Sequence, residues 1–106
     1  MKSAAVLLTL ALACSAQAQS ALGYDVPDCG TWVRQNDPAH RWWLLGFMTG
    51  INSGLRHEAK GDPLQGLKGD QIFLWMDNFC KANPLKNVHY GANTLYAELH
   101  HRAGSK

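Results

Sequence analysis

Asn36-Asp37-Pro38-Ala39-His40-Arg41-Trp42-Trp43-Leu44-Leu45-Gly46-Phe47-Met48-Thr49-Gly50-Ile51-Asn52-Ser53-Gly54-Leu55 is the stretch on which the fold of this 106-residue chain turns. It opens with helix-start chemistry. Asp37 is placed to accept from backbone N–H groups of a first turn, and Pro38 stands at the first helical position, where a missing N–H costs nothing. Leu44, Phe47, Met48, Ile51 and Leu55 then recur at spacings of three and four and build one apolar face. The helix is expected to end near Ser53-Gly54. Its opposite face carries Trp42, Gly46, Thr49, Gly50, Ser53 and Gly54. Three glycines at four-residue intervals make a stripe with almost no side-chain bulk, with Trp42 and Trp43 at its start. Each interior glycine costs nearly 1 kcal/mol relative to alanine, so the helix gives up stability along that line. The expected return is close approach of another backbone, the first or last helix of the same chain. The functional alternative is a partner-binding surface of Trp42, Trp43, Gly46 and Gly50 that receives another protein or a second copy; tryptophan is over-represented at binding hot spots.

The flanking segments read as further helices. Pro27-Asp28 opens a brief helical turn carrying Cys29, Trp32 and Val33. Arg56 to Gly69 contains three glycines and Pro63 and is expected to be a surface loop with one helical turn. Asp70 is the expected cap of the next helix, on which Ile72, Trp75, Met76, Phe79 and Cys80 share a face. Asn83-Pro84 should stop that helix and start another, because proline breaks a continuing hydrogen-bond ladder but suits a new first turn. In the last helix Leu85, Val88, Ala92, Leu95 and Leu99 form a narrow apolar seam. His100, His101 and Arg102 fall in its final turn, where cations suit the helix dipole. No segment reads as a strand. The expected fold is all-α: a small bundle of three main helices plus a short N-terminal helix, in one domain.

The N-terminus reads as a secretory signal over residues 1–18. Lys2 precedes an apolar run from Ala4 to Ala13, and Ala16-Gln17-Ala18 is a small-x-small cleavage site. The run is about ten residues, too short for a bilayer, which needs roughly twenty. Cys14 follows Ala11-Leu12-Ala13, a loose match to a lipoprotein signal, and lipid anchoring at Cys14 is the alternative to its removal with the leader. Cleavage after Ala18 leaves Cys29 and Cys80 as the only cysteines of a periplasmic or secreted domain running from Gln19 to Lys106. In an oxidising compartment two such thiols are expected to form one disulfide. Closing a loop of roughly 50 residues is worth about 4 kcal/mol in the chain-entropy model, comparable to the whole stability of a domain this small. The bond would fasten the weakest helix to the core.

The composition narrows the chemistry. The whole chain carries a formal net charge of +2, one unit of which leaves with Lys2, and no run of like charges suggests a nucleic-acid partner. No second apolar stretch is long enough for a membrane span. A redox pair or a haem attachment site would need Cys-x-x-Cys spacing, which is lacking. His100 and His101 are adjacent and point about 100° apart on a helix, while His89 and His100 share a face but stand roughly 16 Å apart. No His-x-x-x-His or His-Glu-x-x-His pattern occurs. No metal site, cofactor or catalytic residue is expected, and the chain reads as a non-enzyme.

Taken together, early Cys29, the helix Trp43-Leu44-Leu45-Gly46-Phe47-Met48-Thr49-Gly50, a glycine-bearing loop, Trp75 to Cys80 followed by Asn83-Pro84, and Ala92-x-x-Leu95-x-x-Glu98-Leu99 make a pattern. It resembles the Tai-type immunity proteins of type VI secretion, small periplasmic helical proteins whose second helix often reads Gly-Tyr-Ile-x-Gly. More distantly, it is similar to the HdeA-type periplasmic acid-stress chaperones, helical and stapled by one disulfide of nearly this spacing. The resemblance spans roughly Pro27 to His101. It departs from the immunity pattern in cysteine number, since those proteins commonly carry more. It implies a protein-binding domain, with a cognate toxin as partner in the first case and unfolded clients in the second. A homodimeric envelope protein using the glycine stripe is a third expectation. Effector-binding residues do not carry over, because they vary with the toxin neutralised.

Overall fold

Local capping sets the helix boundaries. The structure, a computed structural model, describes residues 25–105. The expected leader and cleavage site, Cys14 and residues 19–24 lie outside the described residues. Helix α1 (Cys29–Gln35) is capped by Asp28, whose carboxylate accepts from Thr31 N–H at 2.6 Å, and ends at Asn36 in the left-handed region, φ 46°. Helix α2 (Pro38–Leu55) starts as its sequence dictates, with Asp37 accepting from Ala39 N–H at 2.9 Å and Pro38 in the first turn. A short 3-10 turn, Arg56–Glu58, extends it. Helices α3 (Gly69–Ala82) and α4 (Val88–Gly104) complete the bundle. The chain is all-α; among the described residues the sole β-type pairing is an isolated bridge between Asp28 and Asn87.

Two boundaries differ from the sequence expectation. The N-cap of α3 is Lys68, not Asp70: Gln71 Oε1 reaches back to accept from Lys68 N–H at 2.8 Å, and Asp70 falls inside the first turn. Pro84 does not begin α4. Asn83 turns the chain, Lys86 N–H closes on Asn83 C=O at 3.0 Å, and Asn87 caps α4 by accepting from Tyr90 N–H at 2.8 Å. An Asx cap satisfies a first-turn N–H that proline leaves bare, so the helix starts at the asparagine. Leu85 consequently lies outside the helix and is fully exposed, not part of the apolar seam.

Cys29, Trp32, Leu44, Met48, Ile72, Met76, Cys80, Val88, Ala92, Leu95, Tyr96 and Leu99 form the buried core. Leu55, expected on the α2 apolar face, remains 42% exposed. Cys29 and Cys80 are disulfide-bonded, their Cα atoms 4.7 Å apart. The bond ties α1 to α3, and three hydrogen bonds hold the α1 end of the chain against α3 and the start of α4. Trp32 Nε1 donates to Asp77 at 2.8 Å, while Cys29 N–H donates to Lys86 C=O and Val88 N–H to Pro27 C=O. Helix α1 therefore packs on α3.

Helix α4 runs parallel to α2, with Phe47 against His89 and Asn52 against Tyr96. It runs antiparallel to α3, with Phe79 near Tyr90 and Trp75 Nε1 donating to Glu98 at 3.2 Å. The close approach between helices falls at Gly91 of α4. A Cβ there would stand 2.7 Å from Met76 Sδ and 2.8 Å from a Phe79 ring carbon.

Candidate functional site

The stripe on α2 is open. A Cβ built at Gly46, Gly50 or Gly54 would meet nothing within 4 Å. The expectation that α1 or α4 fills it is corrected by the packing. Helix α1 is held on α3 by Cys29–Cys80 and Trp32–Asp77, and α4 meets α2 on its Phe47 and Asn52 side. The glycine that a neighbouring helix does press on is Gly91 of α4, met by the Met76 and Phe79 side chains of α3.

The two tryptophans at the start of the stripe part company, as residues 100° apart on a helix must. Trp43 is half-buried and stacks on Phe47, ring centroids 5.0 Å apart and planes 8° from parallel. Phe47 in turn meets His89 at 4.9 Å. Trp42 is 73% exposed. Of the four proposed contact residues, Trp42, Gly46 and Gly50 therefore share an exposed face of α2, while Trp43 stands in an intramolecular aromatic stack.

Beside Trp42 lies an apolar groove of about 250 Å3, lined by Pro38, Arg41, Trp42, Leu45 and Phe73. Arg41 is fixed there by two contacts: Nη2 donates to Asn36 Oδ1 at 2.6 Å, and the guanidinium carbon stands 5.2 Å from the Phe73 ring centre. Sequence reading missed Leu45 and Phe73 as neighbours. Each is one position off the buried row of its own helix, and nothing local marks that α2 and α3 set them against each other. The groove combines a large exposed indole, an apolar floor and one positioned cation, a composition typical of a protein contact surface and lacking an acid–base pair.

A second arrangement went unread in the sequence. Asn52, the buried polar residue of the core, accepts from Tyr96 O–H at 3.1 Å and donates to Asp62 Oδ1 at 2.9 Å. Asp62 Oδ1 also accepts from Leu64 N–H at 2.9 Å. The Asn52 hydrogen bond, followed by that of Leu64, holds the Asp62 carboxyl below its ordinary range, while burial pushes the Tyr96 phenol up. This chain of bonds pins the loop after α2 to both α2 and α4.

Among the described residues no group of three His, Cys, Asp or Glu side chains is placed to hold a metal ion, and no helix is long and apolar enough to cross a membrane. His89 faces Phe47 and His100 faces Tyr96. Compared with known proteins, the chain matches no family model, no curated protein and no solved structure.

Proposed function

We propose that this is an exported, non-enzymatic protein-binding domain that neutralises a cognate toxin in the manner of an immunity protein. The secretory leader and the disulfide speak for export, and the resemblance to Tai-type proteins supplies the partner class. The observation that carries the reading is Trp42, 73% exposed beside an apolar groove and next to a glycine stripe that nothing in the described chain covers. A tryptophan left in water at the rim of a preformed groove fits a binding hot spot, whose loss costs at least about 2 kcal/mol, or roughly thirtyfold in affinity. The test is calorimetric titration of the protein with the product of any toxin gene encoded beside it. Tight binding that falls about thirtyfold in Trp42→Ala supports the reading. Tight binding untouched by Trp42→Ala moves the surface elsewhere, and no binding removes the immunity reading.

The open stripe favours one second reading, a homodimer packed through Gly46 and Gly50. Sizing at micromolar concentration decides between them: a monomer unaffected by Gly50→Leu eliminates the dimer.

A further inference from the structure

Arg41 is placed unlike any other lysine or arginine among the described residues. The rest are exposed, whereas Arg41 is half-buried. A cation drawn out of water is costly unless it is paired, and Arg41 has no ion-pair partner among the described residues. Asp37, the carboxylate one turn before it, uses Oδ1 to cap α2 through Ala39 N–H. Two neutral groups hold Arg41 instead: the Asn36 amide oxygen, which accepts from Nη2 at 2.6 Å, and the Phe73 ring, whose centre lies 5.2 Å from the guanidinium carbon. Asn36 is itself set by its place as the left-handed C-cap of α1. A guanidinium has five donors in a planar fork, so the Asn36 bond leaves most of them for another acceptor and leaves the charge uncompensated.

The surroundings say what kind of acceptor fits. Arg41 borders the groove it forms with Pro38, Trp42, Leu45 and Phe73, and that lining contains no carboxylate. At about 250 Å3 the groove is smaller than clefts that enclose a whole ligand, ~300–1,000 Å3, and suits one apolar side chain. Residues 42–55 of α2 contain no ionisable side chain, so Arg41 is the single charge beside an otherwise neutral exposed face. The core of a protein interface is likewise depleted in charge and enriched in tryptophan and arginine.

Resting on the protein-binding reading above, we propose that Arg41 is the specificity-determining charge of the Trp42 surface. It pairs with an aspartate or glutamate of the protein partner, while an apolar side chain next to that carboxylate enters the groove. Asn36 and Phe73 are positioning residues: they order the guanidinium before the partner arrives, which lowers the cost of ordering it on binding.

The test is an NMR titration of the oxidised protein with phenylpropionate and with phenylpropanamide, which share a ring and chain and differ in charge. Saturable shifts of the Trp42 indole and Phe73 amide signals are expected with the acid, and roughly fivefold weaker binding with the amide. Arg41→Gln should abolish that preference while the spectrum stays dispersed. Asn36→Gly, which keeps the left-handed turn and the cation, should reduce the preference and leave affinity for the amide unchanged. With the toxin as titrant, Arg41→Gln should weaken binding by roughly tenfold or more and flatten its salt dependence. The proposal is overturned if acid and amide bind alike, if neither binds, or if Arg41→Gln keeps the preference. Toxin binding that falls in Trp42→Ala but not in Arg41→Gln also overturns it and leaves the immunity reading standing. A toxin that does not bind, beside a groove that selects the acid, removes the immunity reading and leaves the Arg41 site.

Discussion

Gly91 of α4 lies so close to Met76 of α3 that a single added methyl group would stand 2.7 Å from the sulfur. The glycines of α2 face the opposite situation. Gly91→Ala should therefore destabilise the fold by about 1–3 kcal/mol through overpacking, although alanine is the better helix former. Gly46→Ala and Gly50→Ala fill open space on an exposed helix and should each stabilise it by up to about 1 kcal/mol. Urea unfolding of the three variants checks both signs; stabilisation by Gly91→Ala would contradict the packing described.

Trp42→Ala separates binding from folding. With the indole mostly in solvent, its removal should shift stability by no more than about 0.5 kcal/mol. Trp32→Phe, which strips the donor from Asp77 at the α1–α3 contact, should cost about 1 kcal/mol or more. Thermal melts of the two proteins supply the comparison, and equal losses would show that Trp42 is not the exposed member.

The disulfide should matter most where α1 is held. Replacing Cys29 and Cys80 by serine is expected to lower stability by about 4 kcal/mol, as a closed loop of this length predicts. A helix of seven residues does not persist alone. Hydrogen exchange should therefore show the Trp32 and Val33 amides losing protection on reduction before those of α3 and α4. Simultaneous loss everywhere would mean that α1 is not the weak element.

Acid should weaken the fold through two carboxylates. Asp28, bonded to Thr31 N–H, and Asp62, bonded to Asn52, both titrate below the ordinary value in the folded chain. Their stabilisation is present above the unfolded carboxylate range, about pH 4, and is lost as pH falls through the lower folded values. Tyr96 works in the other direction: its raised pKa makes its contribution disappear as pH rises past about 10. Urea midpoints should be flat near neutrality, fall below about pH 4, and fall less steeply in Asp62→Asn. Tyr96→Phe, which leaves Asn52 Oδ1 short of its donor, should cost about 1–2 kcal/mol at pH 7. An acid limb identical in Asp62→Asn would remove Asp62 from the account.

Much of the fold was legible because helix starts are local. Asp37-Pro38 capped α2 as read, Ser53-Gly54 fell one residue short of its end, and the rows Leu44–Met48, Ile72–Met76–Cys80 and Val88–Ala92–Leu95–Leu99 are buried. Where two local signals competed, the less conspicuous won. Gln71 reaching back to Lys68 displaced Asp70, and Asn87 displaced Pro84, because a satisfied first-turn N–H outweighs a residue merely suited to that turn.

Sequence alone determined the helical class, the approximate helix limits and the pairing of Cys29 with Cys80. Each follows from groups close along the chain or from a count. Tertiary structure decided which glycine is pressed by side chains of a neighbouring helix, which of two adjacent tryptophans stays in water, and that Asn52 joins Tyr96 to Asp62. Those outcomes depend on the rotation and register of one helix against another. Spacing within a helix marks an apolar face, but it does not say which helix will cover it; for α2, that left the Trp42 and glycine side uncovered.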